Sequence, residues 1–331
     1  MLRTGLLIAA ATVFAVFGKP AHAADFTWTF AHTTPVKGST FDRYATTVVP
    51  ERISKATNGR LQINVVQGIV APQDLLKSIR AGRVQSGSLI IAYAAANYPR
   101  WIVLGLPGLL KNEANYVSAV EKVILPVIQK EAGAVWAAKT IAVGAFTGVG
   151  VFSSRPLETV DQFVGLKVRT ASPEQAQLMQ AARGAAVSMP FGEVYTSMQR
   201  GLVAAFTASG NSVVDSKMHE IVGHASKWPI GLNIWSFFVG NDALAKLPDD
   251  LRKIVETEFA AIHKDALREG LVDADKGWKR VTDAGVKLHT LQPAEVAKMI
   301  TLARDNVWPN WLQRAGADGD RLLKEIQALD N

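Results

Sequence analysis

The sequence predicts an α/β fold arranged in two lobes, and the order of its apolar segments carries the prediction. Strand-like segments fall at residues 26–31, 60–66 and 88–92, with helical segments between them at 39–57 and 72–82. This alternation of strands and helices favours a layered domain with largely parallel strands. A similar series begins again near residue 166, which indicates a second unit of the same class.

Each later element has its own local signal. In the first unit a helix is expected at 112–133, followed by strands at 140–145 and 149–153; in the second, strands at 166–169, 186–188, 202–207 and 233–239 alternate with helices at 173–183 and 191–200. Leu247-Pro248-Asp249-Asp250 is a typical helix start. The helical pattern after it runs over residues 250–279, and a helix longer than most globular helices could cross both lobes.

The domain plan follows from these elements and from the N-terminus. Met1-Leu2-Arg3, an uncharged and mostly apolar stretch over 4–17, and the Ala21-His22-Ala23 pattern predict a secretory signal peptide over 1–23. No flexible linker separates the two units. We expect lobe I to comprise residues 24–147 and 236–275 and lobe II residues 148–235 and 276–331, with a cleft between them.

Composition restricts the function classes. The chain has 331 residues, 48% of them hydrophobic, a formal net charge of +7 and no cysteine. Its basic residues are dispersed among acids rather than clustered, which argues against nucleic-acid binding. Without cysteine there is neither a disulfide framework nor a thiol nucleophile. The composition is that of an exported protein with a large core.

Motifs for catalysis or for metal binding fail on spacing. His219 and His224 are five residues apart, whereas a zinc helix of the HExxH type needs a spacing of four to bring both imidazoles to one face. Gly148-Val149-Gly150 lacks the third glycine of a dinucleotide fingerprint. His263, inside the long helical segment, is expected at the surface. The sequence thus predicts no enzyme, no cofactor and no metal.

Two longer stretches resemble a known family. Residues 155–169, RPLETVDQFVGLKVR, and residues 189–201, MPFGEVYTSMQRG, are similar in order and spacing to DctP-type solute-binding proteins of TRAP (tripartite ATP-independent periplasmic) transporters. Weaker similarities at 58–61, 79–84 and 241–248 extend the match over nearly the whole mature chain. The resemblance implies a type II-like, two-lobed periplasmic binding protein that closes on a small organic acid in the cleft between its lobes.

Arg169 is the residue to which the resemblance gives a role. It ends the segment Gly165-Leu166-Lys167-Val168-Arg169, where the family's arginine pairs with the ligand carboxylate. A guanidinium group offers a planar fork of donors that matches a carboxylate. The alternative is a surface salt bridge of Arg169 to Glu193 or Asp161.

Departures from the family pattern point to the class of acid. The segment 201–208 lacks the family's acidic residue and the asparagine that helps to hold the carboxylate; Thr207, Ser209 or Asn211 could supply a substitute hydrogen bond. Val149 is the nearest match to a second cleft arginine that some relatives carry. A single fixed cation favours a monocarboxylate, or an acid whose far end is apolar or aromatic.

Aromatic residues at strand ends support an apolar lining of the cleft. Phe191 matches a pocket-wall position of the family, Trp235 lies on the returning strand, and Tyr93 follows the strand at 88–92. His32 ends the first strand and is a further candidate contact. Ordinary core packing is the alternative for each of them.

The resemblance also implies partners. The acid would be delivered to the small and large membrane subunits of a TRAP transporter, driven by an ion gradient without nucleotide. An ABC-type periplasmic binding protein, or a periplasmic enzyme acting on an organic acid, is the alternative function. The sequence leaves open whether the protein is a monomer or a homodimer, and the ligand's identity.

Overall fold

The computed structural model describes residues 24–330, and the predicted signal peptide lies outside them. Eleven strands form within this range. They are β1 (Phe26–His32), β2 (Leu61–Gln67), β3 (Ser86–Ile90), β4 (Ala138–Phe146), β5 (Val149–Ser153), β6 (Lys167–Thr170), β7 (Ala185–Ser188), β8 (Ala205–Ser209), β9 (His224–Ser226), β10 (Asn233–Gly240) and β11 (Lys287–His289).

The helices that cover the sheets include several short ones. They are α1 (Thr40–Arg43), α2 (Val49–Ala56), α3 (Leu75–Arg80), α4 (Tyr116–Ala119), α5 (Leu125–Trp136), α6 (Pro173–Ala181), α7 (Val194–Gln199), α8 (Gly210–Asp215), α9 (Asn241–Ala245), α10 (Asp249–Asp283), α11 (Pro293–Asn306), α12 (Trp308–Ala315) and α13 (Gly319–Gln327). Single π-helical turns at Tyr44–Val48 and Val120–Ile124 join α1 to α2 and α4 to α5.

The strands divide into two mixed sheets, as expected for a two-lobed α/β fold. The first has the order β2-β1-β3-β10-β4, in which β1 runs parallel to β2 and β3. The second has the order β11-β9-β5-β8-β6-β7, in which β6 runs parallel to both of its neighbours. In each sheet the parallel strands are connected through helices, the connection that parallel pairing requires.

The chain crosses from one sheet to the other more than once. It passes from β4 to β5 through Thr147 and Gly148 and returns when β10 inserts antiparallel between β3 and β4. The predicted boundary at 235/236 falls within β10, whose residues all belong to the first sheet. The exact domain limits stay a prediction.

Helix α10 contacts both lobes. It spans 35 residues, longer than the expected 250–279. Its middle packs on β4 of the first sheet, and its C-terminal part packs on α8 of the second lobe. At that second contact Gly277 meets Gly210 so closely that a Cβ on Gly210 would overlap the backbone of α10. The helix therefore connects the two lobes by packing against both.

Candidate ligand-binding site

A small, partly open cavity lies between the ends of strands from the two sheets. The first lobe contributes residues from the β1–α1 loop and the ends of β3, β4 and β10, and the second lobe contributes residues from β6, β8 and the helical segments that follow. The lining residues are Val36, Ile90, Tyr93, Phe146, Arg169, Ala171, Phe191, Thr207, Ala208, Ser209, Ser212 and Asn233. The cleft expected from the sequence is therefore present around Arg169.

Arg169 is fixed in this cavity by backbone carbonyl groups of its own lobe. It lies on β6 and is only 2% exposed. Its Nε and Nη2 atoms donate to the carbonyl oxygen of Met189 at 3.0 and 2.9 Å, and Nη1 donates to the carbonyl oxygen of Thr207 at 3.1 Å. From the first lobe, the hydroxyl of Tyr93 accepts from Nη2 at 3.2 Å. One N–H of Nη1 stays free to meet a ligand.

The charge of Arg169 has no counter-ion in the part of the chain that the structure describes. Glu193 lies beyond ion-pair distance, and Asp161 pairs instead with Arg183 and Lys298, each at 3.4 Å. Burial lowers the pKa of Arg169, and the nearby Tyr93 and Glu193 only partly oppose this. An arginine nevertheless stays protonated in proteins. The structure thus holds a buried cation without an anion, and not the solvated salt bridge considered as the alternative.

The walls of the cavity are largely apolar. The Phe191 ring centroid lies 5.7 Å from the Arg169 guanidinium carbon, within range of a cation–π contact. Phe146, Val36 and Ile90 add apolar surface from the first lobe. A ligand here would meet one charge and several apolar side chains.

Hydroxyl groups in the cavity are mostly engaged with the protein. The Thr207 hydroxyl donates to Gln175 Oε1 at 2.8 Å, so it can only accept from a ligand. Gln175 Oε1 also accepts from the backbone N–H of Ala171 at 3.1 Å. Ser209 and Ser212 share a hydrogen bond of 2.8 Å. Thr207 therefore helps to orient Arg169 through its carbonyl group rather than through its hydroxyl.

Of the nine candidate contacts from the sequence, five line this cavity: Arg169, Phe191, Tyr93, Thr207 and Ser209. Trp235 and His32 do not. Trp235 is 1% exposed and packs on Phe237, with ring centroids 4.9 Å apart. His32 is fully buried, with Nδ1 2.6 Å from Ser88 Oγ and Nε2 3.0 Å from an Asp42 oxygen. Both side chains pack within the first lobe.

Asn211 and Val149 also lie outside the cavity around Arg169. Asn211 Nδ2 donates to the carbonyl oxygen of Asp273 at 3.0 Å, and its Oδ1 accepts from Arg280 Nη1 at 3.0 Å. Both partners are on α10, so this side chain joins α8 to the long helix. Val149 lines a separate cavity together with Trp278. Ligand contact by Trp235, His32, Asn211 and Val149 stays a prediction from sequence.

Asn233 is a polar lining residue that sequence reasoning missed. It opens β10 and is 8% exposed, and its Oδ1 has no hydrogen-bond partner among residues 24–330. The available signal was a polar residue directly before an aromatic strand, which alone does not indicate a site. The same analysis also missed Val36, Ile90, Phe146, Ala171, Ala208 and Ser212.

His263 also differs from its expected surface position. It is partly buried between α10 and β4, where its Nδ1 accepts from the backbone N–H of Val143 at 3.2 Å. Its Nε2 is buried without a partner. Burial lowers the pKa of His263.

Two further properties bear on the class of protein. No group of three or more His, Asp or Glu side chains within residues 24–330 could hold a metal ion. None of the helices in that range combines the length and apolar character that crossing a membrane requires.

Comparison with known proteins gives consistent matches. Residues 30–313 match the model of the DctP family, described as bacterial extracellular solute-binding protein, family 7. A solute-binding protein of Albidiferax ferrireducens is 23% identical over 268 residues, 78% of each chain. The C4-dicarboxylate-binding periplasmic protein DctP of Rhodobacter capsulatus is 25% identical over 339 residues, 98% of each chain.

A solved structure matches at the level of the fold. The Bordetella pertussis extracytoplasmic solute receptor DctP7, which binds pyroglutamic acid, superposes with a TM-score of 0.82 at 17% identity and covers 91% of this chain and 99% of its own. These matches confirm the resemblance seen in the sequence, and they place the chain among solute receptors rather than enzymes. The chain belongs to the DctP family of bacterial extracellular solute-binding proteins.

Proposed function

We propose that this protein is the periplasmic receptor of a TRAP transporter and that it captures a monocarboxylate with an apolar part. The observation that carries the proposal is the Arg169 guanidinium, 2% exposed and without a carboxylate partner among residues 24–330. A buried charge without a partner is costly, and a bound anion would remove that cost. The site is therefore suited to an acid.

The carboxylate would bind where the free N–H of Arg169 Nη1 meets the Tyr93 hydroxyl. Because the Tyr93 oxygen accepts from Arg169 Nη2, its own proton can be donated to a ligand oxygen. Hydrogen bonds between charged partners are roughly twice as strong as neutral ones. The carboxylate would thus accept hydrogen bonds from one donor in each lobe, Arg169 in the second and Tyr93 in the first.

A single charge and apolar walls favour a monocarboxylate over a dicarboxylate. Arg169 is the one charged residue that lines the cavity within the described range. A second carboxylate would face Phe146, Phe191 or Ile90 with no cation to meet it, and burying an unpaired carboxylate is unfavourable. The C4-dicarboxylate protein of Rhodobacter capsulatus and the pyroglutamate receptor of Bordetella pertussis are both named for carboxylates, which supports an organic acid as ligand.

Binding would stabilise a closed arrangement of the lobes. The Tyr93–Arg169 hydrogen bond already joins the first lobe to the second across the cavity. A carboxylate held by both residues would add to this link and shift the equilibrium between open and closed forms. The closed form would then deliver the acid to the membrane subunits, as the family resemblance implies.

The decisive experiment is ligand screening with an arginine variant. Thermal shift with a panel of mono- and dicarboxylates should reveal stabilising acids, and calorimetry should give their Kd values. In Arg169→Ala we expect a loss of at least about 100-fold in affinity, since removing one partner of a buried charge pair is costly. Arg183→Ala is the matched control, because Arg183 pairs with Asp161 at the surface. Unchanged affinity in Arg169→Ala would refute the proposed site.

Delivery is tested by reconstitution. The purified receptor, loaded with its acid, would be added to vesicles that contain the TRAP membrane subunits. We expect uptake to require the receptor and an ion gradient and to proceed without ATP. Uptake that needs ATP and an ATPase subunit would identify an ABC-type system instead.

A further inference from the structure

We propose that Asn233 selects acids with one negative charge and, besides the carboxylate, a neutral N–H or O–H group. This inference rests on the proposed function, since it concerns the same cavity. It names the second recognition element of the site, and it narrows the ligand to lactam, amide or hydroxy acids.

The position of Asn233 is fixed by the first sheet. It is the first residue of β10 and lies opposite Phe146 of β4 in the antiparallel register. The residue is 8% exposed and lines the cavity, on the first-lobe side, across from Arg169 on β6. Strand pairing holds its backbone, so Asn233 lines the cavity from a fixed strand and not from a loop.

The side-chain amide of Asn233 has an unmet hydrogen-bond requirement. Its Oδ1 is buried without a partner among the described residues. A buried carbonyl oxygen left without a donor costs about 1–3 kcal/mol. Native structures leave few such groups unsatisfied, and each one that occurs calls for an explanation, such as a water molecule or an ion that binds there. A donor supplied by the ligand would satisfy this oxygen.

The other polar groups in the cavity are already engaged. Thr207 donates its hydroxyl proton to Gln175, and Ser209 bonds to Ser212. Tyr93 is joined to Arg169. Among the described lining residues, Asn233 is therefore the one with a buried side-chain polar atom, Oδ1, that makes no hydrogen bond at all.

Charge decides which donor the ligand should carry. An ammonium group could donate to Asn233 Oδ1, but no carboxylate lines the cavity, and Arg169 would repel a second cation. Free amino acids are therefore disfavoured. A neutral N–H or O–H has no such cost. A cyclic amide fits best, because its adjacent N–H and C=O complement the Oδ1 acceptor and Nδ2 donor of an asparagine side chain.

The experiment compares acids that differ only in the donor. Pyroglutamate carries a ring N–H, and 5-oxotetrahydrofuran-2-carboxylate has a ring oxygen in its place. The second pair, for a smaller ligand, is 2-hydroxyisobutyrate against pivalate. Calorimetry on the wild-type protein should show the donor-bearing member of at least one pair binding about 10- to 100-fold more tightly.

The variant Asn233→Leu keeps the approximate volume and removes the acceptor. In this variant the ratio within the discriminated pair should fall to about threefold or less, while binding of the member without a donor is retained. That retained binding shows that the variant is folded. Equal affinities within both pairs in the wild type, or an unchanged ratio in Asn233→Leu, would overturn the inference.

The result also separates this inference from the proposed function. If acids bind in an Arg169-dependent way but without discrimination by Asn233, the proposed function stands and this inference fails. If no acid binds to the wild-type protein, both fail together.

Discussion

The two lobes contribute opposite kinds of chemistry to one cavity. The second lobe supplies the charge, because Arg169 is held by the carbonyl groups of Met189 and Thr207 from its own side. The first lobe supplies neutral groups, the Tyr93 hydroxyl and the Asn233 amide. This difference favours a scheme in which the second lobe binds the carboxylate of the ligand and the first lobe discriminates between ligands by contacting the rest of them.

Such a division has a physical basis in preorganisation. Four hydrogen bonds within the protein orient the guanidinium group, and three of them are accepted by backbone oxygens, which do not change rotamer. Affinity is lost when side chains must be ordered on binding. A guanidinium group that the protein already holds in place therefore retains more of its interaction energy with the ligand. The first-lobe groups become effective only when the lobes are close together.

After Arg169→Ala, the largest expected effect comes from keeping the charge of Arg169 but removing its planar fork of donors. Arg169→Lys retains a cation, but an ammonium group cannot bond Met189, Thr207 and a ligand in the same planar geometry. We expect Kd for the acid to rise by about 10- to 100-fold, as measured by calorimetry. A lysine variant with wild-type affinity would show that the carbonyl cradle is unimportant and that charge alone captures the ligand.

A smaller effect is expected from the first-lobe partner of Arg169. Tyr93→Phe keeps the ring and removes the hydroxyl that links the lobes at 3.2 Å. Because one charge-assisted hydrogen bond is lost, Kd should rise by about 10-fold. The loss should appear mainly as faster dissociation in stopped-flow measurements, since the closed form is held less firmly.

The control for this variant is Tyr195→Phe, which changes a partly buried tyrosine outside the cavity lining. Equal dissociation rates for wild type and Tyr93→Phe would mean that the first lobe does not help to hold the carboxylate.

How much the sequence could predict depends on whether a feature is formed by residues that are close together in the chain. Arg169 was found because it ends a recognisable local motif, and the strands were found because their alternation is local. The alternating strand at 26–31, for example, is present as β1, which extends by one residue to His32. Local patterns of this kind depend on residues close in the chain.

Contacts across the cleft depend on residues far apart in the chain, which local patterns do not reveal. Asn233 matters because its oxygen lacks a partner in the folded protein, a property that no local pattern contains. Conversely, His32 ends β1 and Trp235 lies on β10 two residues after the lining residue Asn233, yet Phe41 packs against both of them. Which strand-end residues reach the cavity is decided by packing on the neighbouring helix.

The smallest predicted effect concerns pH, which should change the stability of the protein but not its affinity for the acid. Arg169 stays charged over the whole physiological range, so affinity for the acid should change little between pH 8 and pH 6. Stability should change, because burial lowers the pKa of His263 below its usual 6.5 in the folded protein. As the pH falls below about 6.5 the unfolded chain takes up the proton first, and the free energy of unfolding decreases.

The variant His263→Gln isolates this contribution. Glutamine can still accept from the backbone N–H of Val143 but does not titrate. We expect the decrease in unfolding free energy between pH 7 and pH 5, measured by denaturant titration, to be smaller in the variant by at most about 1.4 kcal/mol per pH unit. The other histidines contribute equally to both proteins, so the difference reports His263 alone. Parallel curves for the two proteins would mean that the imidazole between α10 and β4 protonates as readily when folded as when unfolded.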